Sequence, residues 1–386
     1  MHTPQTDVMF LFGTRPEAIK MCPVLLAMRH SPLRHVIVNT GQHRDLVTPI
    51  LAHFGCREDI DLQLMQASQT PLSLVQQLLD RLPPLFATHK PRLVVVHGDT
   101  VTAFAGMLCA YLGGIPVAHI EAGLRTGNAH APFPEEFFRT AIDAAADLLL
   151  PPTDDAMRAL LREGRDAKSM VLCGNTAIDA LRLTLLHAEA DTPTEPDILH
   201  LDGSRLLPDA LTGKRLLLLT THRRELHPRQ MLAMLQGIAA AVRQQPDTLL
   251  LFPVHPSPRV RQAAIAAFCD CPNAHLVEPL PLPQMHRLLS RATLLLTDSG
   301  GLQEEAVYLG LPTLVLRECT ERPEGVRAGV LRPIGCDGAT IGTAITQLLT
   351  EERARKAMAK PSTVFGDGFA AERIVHALQE KISELV

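Results

Sequence analysis

Residues 297–301, Thr-Asp-Ser-Gly-Gly, follow an apolar run and precede a segment with helical periodicity. Ser299, Gly300 and Gly301 allow backbone N–H groups at the start of that helix to approach an anion closely. The partial positive charge of a helix N-terminus favours a phosphate group there. The triplet therefore indicates a phosphate-binding turn, although an ordinary capped strand–helix turn has the same composition.

Carboxylates and arginines flank this turn. Neighbouring helical residues point in different directions, so one of Glu304 and Glu305 can reach past a phosphate and accept hydrogen bonds from sugar hydroxyls. Arg322 follows the next apolar run, and the carboxyl end of a parallel strand is where open α/β sheets bind ligands. We therefore expect Glu305 and Arg322 to complete a nucleotide-sugar site.

Three further carboxylates stand at element ends in the first half of the chain: Asp99 and Glu121 follow apolar runs, and Glu135 begins a predicted helix. Neighbouring parallel strands lie about 5 Å apart, so Asp99 and Glu121 can face one pocket. Carboxylates that share a pocket shift each other's pKa values apart, which supports acid and base roles near neutral pH. A helix cap or a salt bridge explains any single one of them equally well.

Cationic side chains occur at similar positions. Arg15 and Lys20 lie near the start of the first predicted helix, where the helix dipole disfavours cations, and this cost indicates an anionic ligand unless solvent or Glu17 offsets it. His222 follows the first strand of the second half and can donate a hydrogen bond to a leaving phosphate as an imidazolium. Solvated surface charges and a structural histidine are the alternatives.

Apolar runs alternate with amphipathic segments along the chain in two sets, which a polar, proline-rich segment at 191–197 separates. Near-continuous apolar strands are typical of parallel sheets covered on both faces. The predicted fold class is α/β, with two doubly wound Rossmann-like domains facing a cleft, at 1–180 and 181–365. The strands are predicted at 8–12, 36–40, 93–97, 116–120, 148–151 and 170–173, and then at 215–219, 248–252, 275–277, 292–296 and 312–316.

The composition argues against several classes of partner. The 386 residues are 46% hydrophobic and carry a net charge of −4 without a basic tract, so neither nucleic acid nor an acidic membrane is expected as a partner. No apolar run is long enough to span a bilayer, and the N-terminus lacks the features of a secretion signal. The eight cysteines include no Cys-x-x-Cys pair, so we expect free thiols in the cytoplasm and no metal site.

The motifs that carry these residues resemble, in order, those of the bacterial non-hydrolysing UDP-N-acetylglucosamine 2-epimerases. The resemblance extends from about Val8 to the final helix. It implies a two-domain fold of the B-type glycosyltransferase kind, with the last helix, 366–386, packing back onto the first domain, and a homodimer. It also implies interconversion of UDP-N-acetylglucosamine and UDP-N-acetylmannosamine. The motifs are 12–20, 97–100, 121–127, 134–136, 174–176, 222–225, 298–301 and 320–324.

The resemblance assigns roles to residues by position. The implied catalytic residues are Asp99, Glu121, Glu135 and His222. The implied substrate-binding residues are Arg15, Lys20, Ser299, Gly300, Gly301, Glu305 and Arg322. The implied allosteric residues, which would bind a second substrate molecule as activator, are Gln42, His43, Gln69, Glu136, Arg223 and Glu225.

The chain departs from the family pattern in three places, one of which is residues 66–69, Gln-Ala-Ser-Gln, which lack the glycine that many relatives carry. Leu226 stands where relatives usually have Asn, and Met285 replaces an aromatic residue near the uracil, where its sulfur can still pack on a base. Three alternatives therefore stay open: a hydrolysing relative that releases UDP and N-acetylmannosamine, a glycosyltransferase, and a non-catalytic nucleotide-sugar sensor. The glycosyltransferase is weakened because no acceptor-binding or membrane-associating stretch is evident.

The chemistry of the sugar restricts the mechanism. The hydrogen at C2 has no neighbouring carbonyl, so inversion requires either transient oxidation at C3 or departure of the group on C1. Residues 366–371 match Gly-x-Gly-x-x-Ala, but too few residues follow for a βαβ unit, so NAD is not expected. We therefore predict no cofactor, and elimination and re-addition of UDP through a 2-acetamidoglucal, with Asp99 and Glu121 as the preferred groups for proton transfer.

Overall fold

Two parallel six-stranded sheets organise the chain. The structure is a computed structural model that describes residues 6–42, 44–65, 69–130, 132–190, 198–206, 212–221 and 227–385, without the side chains of residues 44 and 188–190. The chain divides into two units, of which the first comprises Met1–Arg182 and Gly366–Val386 and the second comprises Leu183–Phe365.

The first sheet has the strand order β3-β2-β1-β4-β5-β6. Its strands are β1 (Val8–Phe12), β2 (His35–Asn39), β3 (Ile60–Asp61), β4 (Leu93–His97), β5 (Val117–Ile120) and β6 (Leu148–Leu150). Every residue of β1 and β4 is buried, because helices cover both faces of the sheet. Winding reverses between β1 and β4, and doubly wound sheets bind ligands at the carboxyl ends of the strands beside such a point.

The helices that cover this sheet follow its strands in turn. They are α1 (Arg15–Met28), α2 (Arg44–His53), α3 (Pro71–His89), α4 (Val101–Leu112), α5 (Glu135–Ala145), α6 (Asp154–Arg162) and α7 (Thr176–Ala190), with a short 3-10 helix at Ala167–Ser169. Leu78 and Leu82 of α3 pack with Ala103 of α4 against Leu11 and Val96 of the sheet, and this cluster forms the core on that face.

The second unit repeats the arrangement with the order β11-β10-β9-β12-β13-β14. An antiparallel pair, β7 (Ile198–Leu199) and β8 (Arg205–Leu206), precedes the parallel strands β9 (Arg215–Thr220), β10 (Thr248–Pro253), β11 (Ala274–Val277), β12 (Leu294–Thr297), β13 (Thr313–Val315) and β14 (Leu331–Pro333). The helices are α8 (Pro228–Arg243), α9 (Pro258–Phe268), α10 (Leu282–Arg291), α11 (Gly300–Leu309), α12 (Pro323–Arg327), α13 (Gly338–Thr350) and α14 (Glu352–Met358). The point of reversal here lies between β9 and β12.

The last helix, α15 (Ala370–Glu384), belongs to the first unit and packs against α1. Gln379 donates a hydrogen bond to Ser31 Oγ at 3.0 Å, and Arg92 donates one to the carbonyl oxygen of Ile382 at 2.8 Å. Asp179 of α7 accepts a hydrogen bond from the backbone N–H of Ala371 and so caps the start of α15.

The α/β fold with two doubly wound Rossmann-like sheets is confirmed. The strand predicted at 170–173 is wrong: only Met170 forms a single bridge, to Leu149, and Leu172 is half-exposed. The pattern also missed α2 and β14, which contain Pro49 and Pro333, residues that ordinarily argue against a helix interior and a strand. It missed the two-residue strand β3 and the β7–β8 pair, which are too short to show a periodicity. Residues 191–197 lie outside the described ranges.

Within the ranges that the structure describes, no helix combines the length and the apolar character needed to cross a bilayer. Among the same residues, no three His, Cys, Asp or Glu side chains come together in a way that could hold a metal ion.

Candidate functional site

The point of reversal in the first sheet carries a buried carboxylate that joins two turns. Thr14 caps α1, and Pro16 lies in its first turn, as predicted from the sequence. Glu17 Oε2 accepts hydrogen bonds from the backbone N–H groups of Gly13 and Thr14 at 3.0 and 2.8 Å. Its Oε1 accepts one from Thr100 Oγ1 at 2.6 Å. Burial raises the pKa of Glu17, although these hydrogen bonds act in the opposite direction. Glu17 therefore fixes the turn after β1 to the turn after β4.

Glu121 lies at the carboxyl end of β5 in an unusual backbone conformation. Its φ of +69° is in the left-handed region, which costs a non-glycine residue about 1–3 kcal/mol and is typical of functional sites. Lys20 donates a charge-assisted hydrogen bond to Glu121 Oε1, and Asn175 donates to the same oxygen at 3.3 Å. His97 Nδ1 lies 4.0 Å from Glu121 Oε2. Side chains from three separate segments thus converge on the carboxylate of a residue whose backbone is strained.

The turn that carries Asp99 packs directly against this carboxylate. Gly98 has a φ of +64°, and a Cβ at this position would stand 3.2 Å from Glu121 Oε2, so a larger residue would crowd the carboxylate. Asp99 itself is ion-paired with Arg139 of α5. The two carboxylates thus follow neighbouring strands and are held by different cations.

Glu135 and Glu136 begin α5 beside this arrangement. Glu135 Oε2 is buried and has no hydrogen-bond partner among the described residues. Glu136 Oε1 accepts hydrogen bonds from the backbone N–H groups of Thr126 and Gly127, both at 2.9 Å, and Oε2 lies 3.3 Å from Arg139. The unsatisfied oxygen of Glu135 is a position at which a ligand donor would be stabilised.

The protonation of His97 predicts how stability depends on pH. Burial lowers the pKa of this imidazole from 6.5 to about 3, although the Glu121 carboxylate acts in the opposite direction. Below pH 6.5 the unfolded chain therefore binds a proton that the folded chain excludes, so the stability that His97 contributes is lost as the pH falls towards 3. Asp179 acts in the opposite direction, because burial raises its pKa from 3.8 to about 6 and the folded chain binds the proton first.

Replacing His97 by Gln is expected to lessen the loss of unfolding free energy on acidification by up to about 1.4 kcal/mol per pH unit. Replacing Asp179 by Asn, whose amide oxygen still accepts the hydrogen bond from α15, is expected to steepen that loss. Urea unfolding of both variants and the wild type, followed by circular dichroism because the chain has no Trp, measures these changes. A change of the same sign in both variants would contradict this prediction.

The point of reversal in the second sheet presents an uncapped helix N-terminus. Ser299 is the N-cap of α11, but its side chain makes no capping hydrogen bond, so among the residues that the structure describes no side chain caps the first N–H groups of the helix. A Cβ at Gly300 would stand 3.4 Å from Arg322 Nη2, which places the guanidinium beside this terminus, and a Cβ at Gly301 would have no described atom within 4 Å. Helix dipole and guanidinium together attract an anion here.

The two carboxylates of α11 diverge. Glu304 is ion-paired with Arg322 Nε and so orients the guanidinium. Glu305 instead points to His286 of α10, whose Nε2 lies 3.5 Å from Glu305 Oε1. Glu305 Oε2 is buried without a hydrogen-bond partner among the described residues. A buried, unsatisfied carboxylate oxygen is suited to accept from a hydroxyl group of a ligand.

Some of the remaining predicted site residues lie outside the ranges that the structure describes. The structure describes neither the predicted catalytic residue His222 nor His43, Arg223 and Glu225 of the predicted allosteric set. Of that set, Gln42 Oε1 is buried without a hydrogen-bond partner among the described residues, and Gln69 Nε2 donates to the carbonyl oxygen of Leu64 at 2.7 Å.

Sequence reasoning missed several residues that the structure places beside the predicted ones. The sequence predicts both Lys20 and Glu121 as site residues but not the ion pair between them. It also does not predict the ion pair between Glu304 and Arg322. Asn175 lies in the motif 174–176, to which the sequence assigned no role, and His286 lies on the buried face of α10, outside every motif in the sequence.

Comparison with known proteins gives a consistent result. A family model described as UDP-N-acetylglucosamine 2-epimerase matches residues 27–379. The UDP-N-acetylglucosamine 2-epimerase of Bacillus subtilis strain 168 is 43% identical over 373 residues, which is 96% of this chain and 94% of that protein. The Escherichia coli K12 protein of the same name is 38% identical, over 96% of this chain and 98% of its own length.

Solved structures agree in fold. UDP-GlcNAc 2-epimerase from Neisseria meningitidis, bound to UDP-GlcNAc, has a TM-score of 0.88 at 34% identity and covers 97% of this chain and 100% of its own. The Methanocaldococcus jannaschii enzyme, in complex with UDP-GlcNAc and UDP, has a TM-score of 0.79 at 29% identity, over 97% and 99% of the two chains. The chain belongs to the UDP-N-acetylglucosamine 2-epimerase family.

Proposed function

We propose that this protein is a non-hydrolysing epimerase that interconverts UDP-N-acetylglucosamine and UDP-N-acetylmannosamine. The observation that carries the proposal is the pair of carboxylates at the ends of β4 and β5. Asp99 and Glu121 are held by different cations, Arg139 and Lys20, and the Glu121 carboxylate packs on the turn that carries Asp99. Inversion at one carbon needs a group that removes a proton and another that returns one, which a single carboxylate does not provide.

We assign the nucleotide to the second unit. The uncapped start of α11 and the adjacent Arg322 would bind the diphosphate, and the unsatisfied oxygen of Glu305 would accept from ribose hydroxyls. Arg15 and His222 are proposed as further donors to the diphosphate on the basis of the resemblance alone. The relatives whose solved structures contain UDP-GlcNAc support this choice of ligand.

The proposed reaction begins with elimination. A carboxylate removes the proton from C2, the C1–O bond to the diphosphate breaks, and the electron pair of the C2–H bond forms the C1=C2 double bond of 2-acetamidoglucal. UDP leaves with the electrons of the broken bond, and its negative charge is stabilised by Arg322 and the α11 N-terminus. A second carboxylic acid then returns a proton to the opposite face of C2 while a diphosphate oxygen attacks C1.

Both carboxylates are ion-paired, so either is suited to start as the base. The other must hold a proton when the glucal is re-protonated, and Glu135, with its unsatisfied buried oxygen, is proposed as a supporting group. The proton that is returned to C2 comes from a different carboxyl group than the one that removed the original proton. Since the hydrogens of both carboxyl groups exchange with water between turnovers, the product carries a hydrogen from the solvent at C2.

The experiment that tests the function also separates it from the hydrolysing alternative. Purified protein is incubated with UDP-N-acetylglucosamine, the anomeric signals are followed by NMR, and free UDP is measured by a coupled assay. We expect a second UDP-sugar to accumulate while UDP stays far below it. UDP and free N-acetylmannosamine appearing in equal amounts would indicate the hydrolysing reaction, and unchanged substrate would contradict both activities.

We further propose that the protein is a homodimer and, as the resemblance implies, that it has an activator site formed by Gln42, His43, Gln69, Glu136, Arg223 and Glu225. Light scattering after size exclusion measures the first property. For the second, conversion of UDP-N-acetylmannosamine alone should be slow until UDP-N-acetylglucosamine is added.

A further inference from the structure

A buried ion pair lies beneath the two turns that carry the carboxylates. His119 of β5 and Asp143 of α5 are both completely inaccessible to solvent. His119 Nδ1 lies 2.6 Å from Asp143 Oδ1, and Nε2 lies 2.8 Å from the carbonyl oxygen of Gly98. The sequence suggests only a histidine within an apolar strand, so this contact is visible in the structure alone.

The partners of this imidazole fix its protonation. The carbonyl oxygen of Gly98 can only accept a hydrogen bond, so Nε2 must donate. Asp143 Oδ2 accepts from the backbone N–H of Gly123 at 3.0 Å and lies 2.7 Å from Arg125 Nη1, an environment that favours an ionised carboxylate. An ionised carboxylate also only accepts, so Nδ1 donates as well. With hydrogens on both nitrogens, His119 is an imidazolium.

The charge of Asp143 is consistent with this assignment. Burial alone would raise the pKa of this carboxyl, but the attraction of His119 and Arg125 and their hydrogen bonds outweigh burial and lower it. The Arg125 guanidinium is in turn bound by both oxygens of the exposed Glu163 at 2.7 Å, so the charges alternate in sign from the buried pair to the surface.

The pair holds both functional turns at once. Gly98 is the residue before Asp99, and Gly123 is the second residue after Glu121, so one end of the pair restrains each turn. A shift of about 1 Å in a reacting group is sufficient to cost on the order of 10²-fold in rate. Contacts that fix the distance between two such groups therefore affect catalysis without touching the substrate.

We propose that the His119 imidazolium, paired with Asp143, is a positioning residue that sets the geometry of Asp99 relative to Glu121. The proposal rests on the epimerase function proposed above, because it needs both carboxylates to act in one reaction. It concerns residues that do not contact substrate in that mechanism.

The first test uses the wild-type protein and requires no variant to fold. NMR of protein labelled with ¹⁵N-histidine detects hydrogens bonded to each ring nitrogen, and an imidazolium carries one on each nitrogen. We expect one histidine with slowly exchanging hydrogens on Nδ1 and Nε2, whose signals disappear in a His119 variant or, if that variant does not fold, move in Asp143→Asn. A buried histidine at this position with only one ring hydrogen would overturn the assignment.

The second test compares two substitutions that each keep half of the arrangement. The amide of His119→Asn replaces Nδ1 and can still bind Asp143, whereas the amide of His119→Gln replaces Nε2 and can still bind Gly98. We expect both variants to lower kcat by about 10²-fold, with KM and the Kd for UDP changed by less than about threefold.

Asp7→Asn is the matched control. Asp7 is also buried and also accepts from an arginine, Arg34, but it stands before the start of β1, at the other end of the same sheet. We expect this variant to lower Tm without lowering kcat. His119 variants that lose Tm as Asp7→Asn does but keep kcat would overturn the positioning role. If the wild-type protein shows no epimerase activity, the proposed function is overturned instead. The NMR result on the wild-type protein does not depend on that activity.

Discussion

Replacing Glu121 by Gln is expected to lower kcat by about 10²–10⁴-fold, the range for loss of a positioned acid or base. The amide keeps the size of the side chain and can still accept from Lys20 and Asn175, so the left-handed backbone and the turn at Gly98 should persist. It cannot take a proton from C2. Since UDP is assigned to the other unit, its Kd measured by calorimetry is expected to change by less than about threefold.

Asp147→Asn is the control for this variant. Asp147 accepts a hydrogen bond from the backbone N–H of Val117 at 2.9 Å, at the opposite end of the strand that carries Glu121. The same chemical change at that end should leave kcat near the wild-type value. A Glu121→Gln enzyme within tenfold of wild type would remove this carboxylate from the proton transfers.

Replacing Arg322 by Ala is expected to weaken UDP binding by about 1.5–3 kcal/mol, which is about 10- to 150-fold in Kd. The substitution removes donors beside the α11 N-terminus, which weakens the attraction of a diphosphate, and it also removes the Arg322 cation from the buried Glu304, whose negative charge then repels a diphosphate more strongly. Glu304→Gln in the Arg322→Ala background separates the two effects, because it removes the negative charge of Glu304. That double variant should recover part of the affinity and the remaining loss measures the arginine–phosphate interaction.

Arg261→Ala is the matched control in the same unit, since Arg261 also binds a carboxylate, Glu278, through two hydrogen bonds but is partly exposed and follows a different strand. The Arg261→Ala variant should bind UDP with the affinity of the wild-type protein. An Arg322→Ala variant whose calorimetric Kd matches this control would refute the nucleotide assignment.

The sequence predicts the sheets because most residues of their strands are apolar, as in β1 and β4, and this pattern can be recognised without knowing which strands pair. It also places Asp99 and Glu121 at strand ends, since the carboxyl ends of parallel strands are fixed by the topology. It does not predict β14 or α2, where a proline contradicts the element that tertiary packing nevertheless stabilises.

The partners of the site residues are less predictable than their positions. Lys20 meets Glu121 across 101 residues of sequence, and Asn175 meets it across 54, so no local pattern encodes either contact. The sequence also does not predict the left-handed backbone of Glu121, because glutamate rarely adopts a positive φ, whereas glycine often does. Likewise, only the tertiary structure brings His286 of α10 within 3.5 Å of Glu305 of α11.

The elimination mechanism is tested most directly by running the reaction in D₂O. If a carboxylate removes the C2 hydrogen and another acid returns one from solvent, the UDP-N-acetylmannosamine formed should carry deuterium at C2, and its H2 signal should be absent from the NMR spectrum. Substrate recovered at equilibrium should be deuterated at the same carbon. Product that forms in D₂O and keeps its original C2 hydrogen would contradict elimination and would require the hydrogen to be stored and returned within the enzyme.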